Sequence, residues 1–233
     1  MTGRYVPYGR QIIDEDDISA VADVLRGDWL TTGPMVDQFE GAFGAYVGAE
    51  HAVAVSNGTA ALHLAMLAAD IGPGDEVIVA SMTFAASANA ARFVGADVVF
   101  ADVRDDTLTI DPEHVAALVS DRTRAIVAVD YAGIPCDLDE LLAIARRHGL
   151  IVIEDGCHAP GATYRERRIG SIADLTTFSF HPVKHLTTGE GGMVTTNDAD
   201  LTARLKQFRN HGIVTDFRQR EDLGTWVYDM ADL

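Results

Sequence analysis

Lysine is almost missing from this sequence. Of its eighteen basic residues only Lys184 and Lys206 are lysines, so arginine supplies most of the positive charge and a retained lysine invites the question of what arginine cannot do. Arginine stays protonated in proteins, whereas lysine can lose its proton and attack a carbonyl as a neutral amine. Positive charge as a whole is short: thirty-five acidic residues leave a formal charge of −17. That balance excludes broad docking on a nucleic-acid backbone or an anionic membrane. A small anionic ligand held in a pocket by backbone N–H groups stays open. Cysteine is limited to Cys136 and Cys157, too few for a disulfide framework and without metal-ligand spacing, so both are expected reduced. No stretch approaches eighteen uninterrupted apolar residues, and the opening MTGRYVPYGRQIIDEDD has no basic region followed by an apolar run. The expectation is a soluble, cytoplasmic chain with no membrane partner.

What is present is a core-forming chain of 233 residues, 48% hydrophobic, enough for one substantial core. Apolar spacing predicts a helix from about Asp14 to Arg26 and another over MVDQFEGAFGAYVG. Short β-branched runs then alternate with helical segments. HAVAVS is followed by TAALHLAMLAAD, EVIVA by AASANAARFVG, DVVFA by PEHVAALVS, RAIVAVD by LDELLAIARRHG, and LIVIED closes the series. Further strands are expected at DLTTFSF and GGMVTTN, with a helix at about Asp198 to Asn210. Such alternation is the signature of right-handed βαβ units, so the fold class is α/β, three-layered, a mostly parallel sheet with helices on both faces. No linker or repeat divides it into domains.

Ligands of open parallel sheets sit at the carboxyl ends of strands, and three stretches fall there. In SNGTAALHLA a strand meets a helix through Gly58 and Thr59, where glycine allows close approach and first-turn N–H groups can hold phosphate; an Asn-Gly turn with a Thr cap accounts for it equally. In IEDGCHAPG an apolar strand ends on Glu154 and Asp155, with His158 three residues on. A carboxylate there could hold a protonated heterocyclic nitrogen, or merely cap a turn. In SFHPVKHLTTGEGG, Ser179 and Lys184 could put a hydroxyl on phosphate and an amine on a carbonyl, while GEGG alone is a flexible turn. Phosphate cup, acid for a ring nitrogen and amine for a carbonyl are together what pyridoxal 5′-phosphate requires of a protein. No G-x-G-x-x-G follows the first strand, which sets aside a dinucleotide-binding domain.

With those motifs in this order, the sequence resembles the DegT/DnrJ/EryC1/StrS family of sugar aminotransferases. The likeness runs from LTTGPMVDQFE through SNGTAALHLA, MTFAASANAA, IEDGCHAPGATY and SFHPVKHLTTGEGG to FRNHGI. It implies the large domain of a fold type I pyridoxal-phosphate enzyme over residues 1–233. VDYAGIPCDLDEL and FSFHPVKHLTTGEGG look most like the branch that aminates UDP-4-keto-6-deoxy-N-acetyl-β-L-altrosamine on the pseudaminic acid route, with L-glutamate as donor; related branches aminate other nucleotide-linked 4-keto or 3-keto sugars.

Carried over by position, the resemblance makes Lys184 the lysine that binds the cofactor as an imine and Asp155 the acid at the pyridine nitrogen. Gly58, Thr59, Ala60 and Ser179 match the phosphate cup, Phe84 the aromatic against the ring, and His158 a neighbour of its phenolic oxygen. Tyr8, Asp28, Trp29, Leu30 and Thr31 match positions that touch the nucleotide sugar. Dehydratases of this fold carry histidine at the lysine position, so Lys184, followed by His185, favours transamination; His181 and His185 are expected to pack beside the site. The resemblance also implies a homodimer and a smaller C-terminal domain beyond the point where DMADL ends.

Overall fold

The computed structural model describes residues 9–213. In chain order it contains α1 (Glu15–Arg26), α2 (Pro34–Val47), β1 (His51–Val55), α3 (Gly58–Ala68), β2 (Glu76–Ala80), α4 (Ala85–Phe93), β3 (Asp97–Ala101), α5 (Pro112–Leu118), β4 (Thr123–Val129), α6 (Leu138–His148), β5 (Ile151–Asp155), β6 (Thr163–Tyr164), β7 (Arg167–Arg168), β8 (Leu175–Ser179), β9 (Gly192–Thr196) and α7 (Ala199–Arg209). A 3₁₀ turn, Tyr131–Gly133, lies between β4 and α6.

Local chemistry sets the ends of these elements. Asp14 caps α1 by accepting from the N–H groups of Asp16 and Asp17, and the Asp17 carboxylate returns to the Asp14 N–H. Pro34 opens α2 where no N–H is needed, and Gly48 closes it at φ +76°. Asp198 caps α7 through the N–H groups of Asp200 and Leu201.

The sheet runs β1-β9-β8-β5-β4-β2-β3. From β8 across β5, β4 and β2 to β3 every pairing is parallel. β9 is antiparallel to both β8 and β1, so it alone runs against the others. The expected mostly parallel α/β sheet is observed, and β5 lies in its middle. The short β6–β7 hairpin is not foreshadowed by apolar patterning.

Strand alternation sorts the central side chains onto two faces. Phe178 and Phe180 point into the core against α2, where ring centroids lie 5.0 Å apart for Phe43 and Phe178, 5.2 Å for Phe43 and Phe180, and 5.3 Å for Phe39 and Phe180. Ser179, between them, faces the other way. Asp155 shares the face of Ser179, and Glu154 shares that of Phe178, as the register Glu154↔Thr176 and Asp155↔Thr177 requires.

Candidate functional site

Asp155 ends β5 at the carboxyl edge of the parallel strands and is 7% exposed. Both its oxygens are held. Cys157 N–H donates to Oδ1 at 3.2 Å, and the hydroxyl of Ser87 donates to Oδ2 at 2.7 Å. The carboxylate expected to face a ring nitrogen therefore also caps the turn. Ser87 is fully buried on α4, and its oxygen lies 2.7 Å from Thr83 Oγ1. The single Ser87 proton goes to Asp155, and the Thr83 hydroxyl is shared between Ser87 Oγ and the Phe84 carbonyl, 3.2 Å away. The relay Thr83–Ser87–Asp155 fixes the carboxylate against rotation. Nothing in AASANAARFVG singles out Ser87; only the crossing of α4 over the end of β5 gives it a role.

A cradle forms where β1 turns into α3. Asn57 caps the helix through the Ala60 N–H at 2.8 Å, so the cap is Asn57 rather than Thr59. Of the three matched residues, Gly58 and Thr59 present N–H groups without a protein acceptor among the described residues, while that of Ala60 is engaged by Asn57. A Cβ on Gly58 would sit 2.9 Å from Ser179 Cβ, 3.3 Å from its hydroxyl and 3.3 Å from Cys157 Sγ. The absent side chain brings the helix start, the Ser179 hydroxyl and the turn after Asp155 to one point. Gly192 makes the same kind of approach from β9: a Cβ there would lie 2.5 Å from the Asn57 carbonyl oxygen and 2.9 Å from the Gly58 nitrogen. The last glycine of GEGG is thus a packing requirement, not a flexible turn. A helix N-terminus with two free N–H groups and a hydroxyl suits a phosphate.

Lys184 lies half-buried on the turn that follows β8, which closes through its own N–H to the His181 carbonyl at 2.8 Å. Thr187 Oγ1 returns to the Phe180 carbonyl at 2.9 Å and pins the far side of the loop. The Lys184 charge reaches both Cys157 and His158. Burial first, then the Lys184 charge, holds His158 below the ordinary histidine range; Asp155 opposes this and His185 adds to it. Cys157 is pushed well up by burial and by Asp155, with Lys184 acting the other way. Lys184, Asp155, His158 and the cradle therefore converge. The two flanking histidines differ from the expectation of packing: both are exposed, and His181 Nδ1 accepts the Val183 N–H at 3.3 Å, shaping the turn.

Phe84, the N-cap residue of α4, leaves its ring 75% exposed beside this edge of the sheet, an apolar face open to a planar partner. Asp28, Trp29, Leu30 and Thr31 form an exposed connection between α1 and α2. Among the described residues no hydrogen bond or ion pair is seen between that connection and Lys184 or Asp155, and Tyr8 lies outside the described residues. A groove of about 350 Å³ between α2, β1 and α7 opens at the amino end of β1, the opposite edge of the sheet. Its carboxylates, Asp37, Glu40 and Glu50, make it a poor place for phosphate. Among the described residues no cluster of three or more His, Cys, Asp or Glu could hold a metal, and no helix is long and apolar enough to cross a membrane.

A model of the DegT/DnrJ/EryC1/StrS aminotransferase family matches residues 11–232. The chain is 46% identical over 227 residues to the spore coat polysaccharide biosynthesis protein SpsC of Bacillus subtilis, covering 97% of this chain and 58% of that protein. It is 44% identical over 224 residues to the UDP-4-amino-4-deoxy-L-arabinose–oxoglutarate aminotransferase of Shewanella sediminis, with 96% and 58% covered. The fold is similar to Spr1654 of Streptococcus pneumoniae, solved in a PMP-form (TM-score 0.91, 33% identity, 98% of this chain and 62% of that one) and a PLP-form (TM-score 0.89, 33% identity, 97% and 61%). It is also similar to Helicobacter pylori PseC, an aminotransferase involved in the biosynthesis of pseudoaminic acid (TM-score 0.88, 32% identity, 97% and 60%). The chain spans 58% of the length of these curated relatives.

Proposed function

Because the chain belongs to the DegT/DnrJ/EryC1/StrS aminotransferase family, whose cofactor is pyridoxal 5′-phosphate, we propose that it forms the cofactor-binding part of an enzyme that moves an amino group from L-glutamate to a nucleotide-linked keto sugar. The observation that carries this is the double grip on Asp155 by Ser87 and the Cys157 N–H, beside the half-buried Lys184. The residues present fit the group. Gly58, Thr59 and Ser179 would take the phosphate, with Ala60 behind them in the same turn. Asp155 would face the ring nitrogen, Phe84 the ring, and His158 the phenolic oxygen.

When bound, pyridoxal 5′-phosphate supplies a conjugated electron sink for the charge left as a proton leaves the carbon beside nitrogen. The protein's part is to hold and to move protons. Asp155, oriented by two donors and largely out of water, would hold a proton on a ring nitrogen placed beside it, because an anion in a low-dielectric site favours a cation next to it. Lys184 would anchor the cofactor through its Nζ, and the same amine, when free, would be the base. Its Nζ takes the proton from the α-carbon of L-glutamate and, in the return half, supplies one to the former keto carbon of the sugar. A lysine suits both duties because its neutral form is reachable, as that of arginine is not.

The proposed acceptor is UDP-4-keto-6-deoxy-N-acetyl-β-L-altrosamine. The wording of VDYAGIPCDLDEL and FSFHPVKHLTTGEGG supports it, as does the likeness to PseC; the Shewanella relative's name likewise carries its amine at C4. Tyr8 and the exposed run Asp28, Trp29, Leu30 and Thr31 are the proposed sugar contacts, and a homodimer is the proposed assembly. The test is a visible absorbance spectrum of the purified chain with pyridoxal 5′-phosphate. A band distinct from free cofactor and absent in Lys184→Ala is expected, followed by glutamate-dependent amination of this acceptor in preference to other nucleotide-linked 4-keto sugars. A spectrum identical to free cofactor would defeat the proposal for this chain.

A further inference from the structure

Behind the cradle, on the opposite face of the sheet, lies a pair of acids that the chemistry above leaves unused. Asp130, the first residue beyond β4, and Glu154, next to last in β5, are both fully buried. The two strands are parallel, with Ala128 opposite Glu154 and Val129 opposite Asp155. Asp130 and Glu154 therefore share a face as diagonal neighbours, a spacing at which longer side chains meet.

Each carboxyl is half satisfied. Asp130 Oδ1 accepts the Cys136 N–H at 3.0 Å, and Glu154 Oε2 accepts the Thr176 hydroxyl at 2.8 Å. Asp130 Oδ2 and Glu154 Oε1 are buried with no donor, and no salt bridge reaches either acid among the described residues. Two ionised carboxylates in this position would repel each other and strand both oxygens. A single proton satisfies both at once, because a protonated carboxyl donates where a carboxylate accepts.

The surroundings favour that state. Burial and then the Glu154 charge push Asp130 well above the carboxylate range, and burial raises Glu154 to about 7. Each acid acts on the other, raising Asp130 and lowering Glu154, which favours the proton on Asp130. The titratable groups whose charge is felt by the pair are Asp155 from β5, on the other face, Cys136 from the loop after Asp130, and Cys157 from the turn after β5; β8 contributes the Thr176 hydroxyl, and the Gly170 N–H lowers Glu154 as well.

The pair is also tied to the site. Asp130 N–H donates to the Asp155 carbonyl at 3.1 Å, and its carboxyl closes the loop 130–136 on the Cys136 N–H. At the apex of that loop Gly133, at φ +85°, packs so closely that a Cβ would lie 2.8 Å from the His158 carbonyl oxygen. We propose that Asp130 and Glu154 hold one proton between them and serve as positioning residues, fixing the loop on which the backbone of His158 rests and the strand end that carries Asp155. The relevance to cofactor binding rests on the function proposed above; the shared proton and the loop do not.

The test uses the cofactor-free protein first. Infrared difference spectra should show a protonated carboxyl at about pH 8, above the value of about 7 at which Glu154 ionises, that is lost in both Asp130→Asn and Glu154→Gln, since an amide opposite a carboxylate needs no proton. Amide exchange in 130–136 and 156–158 should quicken by about tenfold or more in Asp130→Ala and stay within about twofold of wild type in Asp130→Asn. Pyridoxal 5′-phosphate affinity should follow the same order. No protonated carboxyl in the wild type, or equal exchange in the Asn and Ala variants, overturns the proposal. Should Asp130→Ala fail to fold, the infrared comparison of the two isosteric variants still decides. A wild type that binds no cofactor would sink the functional reading while leaving the infrared and exchange results to judge the pair.

Discussion

Ser87 and Asp155, 68 residues apart in sequence, meet through a 2.7 Å hydrogen bond from the Ser87 hydroxyl to Asp155 Oδ2. The bond joins α4 to the end of β5 and leaves the carboxylate one orientation. Ser87→Ala removes a buried donor to a charged acceptor, an interaction worth about 1.5 to 3 kcal/mol. Part of that is recovered by water at the open edge, so pyridoxal 5′-phosphate should bind about tenfold more weakly, an effect of ~1.4 kcal/mol. A cofactor titration of the two proteins measures it, and unchanged affinity would mean that Ser87 merely fills space.

Lys184 and His158 are coupled by charge. After burial, Lys184 is the next cause holding His158 below its ordinary range. Replacing Lys184 by the neutral, similarly long Met should therefore raise the His158 titration midpoint, followed by the chemical shift of its ring protons in the cofactor-free protein. A midpoint that stays put would place the two side chains too far apart to share one site. The same variant should lose any lysine-dependent cofactor absorbance while keeping the wild-type circular dichroism.

How much of this was legible in the sequence depends on the scale of the signal. The strands of the parallel sheet announced themselves as short β-branched runs alternating with helical segments, and Asp155 as an acid at the end of such a run. Lys184 stood out through scarcity. Ser87 gave no such sign, because one serine among alanines on a helix becomes functional only when that helix crosses a strand end. The β6–β7 hairpin was equally silent. Its turn places Arg165 and Glu166 at φ +47° and +67°, a conformation in which Asn-Gly is the usual sequence signal. It is held instead by ion pairs from Arg165 and Arg167 to Asp139 on α6, a contact between distant parts of the chain. The reversed direction of β9 is likewise a property of the pairing, since GMVTT would read the same in either sense.

Gly192 tests the cradle without touching a polar group. Its α-carbon lies against the Asn57–Gly58 peptide, so the Cβ of Gly192→Ala must displace backbone and not the end of a flexible side chain. Overpacking of this kind costs about 1 to 3 kcal/mol. Chemical denaturation should register that loss, and phosphate or cofactor affinity should fall with it. Gly58→Ala, whose Cβ would lie 2.9 Å from Ser179 Cβ and 3.3 Å from its Oγ, meets an atom fixed to the β8 backbone and should also cost stability, but affinity should fall by the larger share because the Ser179 hydroxyl itself is displaced. Equal ratios of the two effects in both variants would remove the distinction drawn here between cradle frame and cradle wall.

The buried acids give the stability a pH dependence whose sign can be worked out. Glu154 is raised to about 7 in the folded state, so its contribution is complete below the ordinary glutamate value and is lost as pH climbs from there through about 7. Asp130, raised further, extends the loss to higher pH. His158 works the other way: lowered in the folded state, it withdraws stability as pH falls below the ordinary histidine value. Between about pH 5 and 6.5 the losses from Glu154 and Asp130 are opposed by the gain at His158, so on these three groups the wild type should lose stability with rising pH there. Glu154→Gln removes one titration and offers Asp130 an amide donor, so the variant should gain stability with rising pH through that window and lose less above it. Urea denaturation of the cofactor-free proteins across a pH series decides the matter. Parallel curves for wild type and variant would mean that Glu154 is ionised throughout and that its burial is balanced by some other donor.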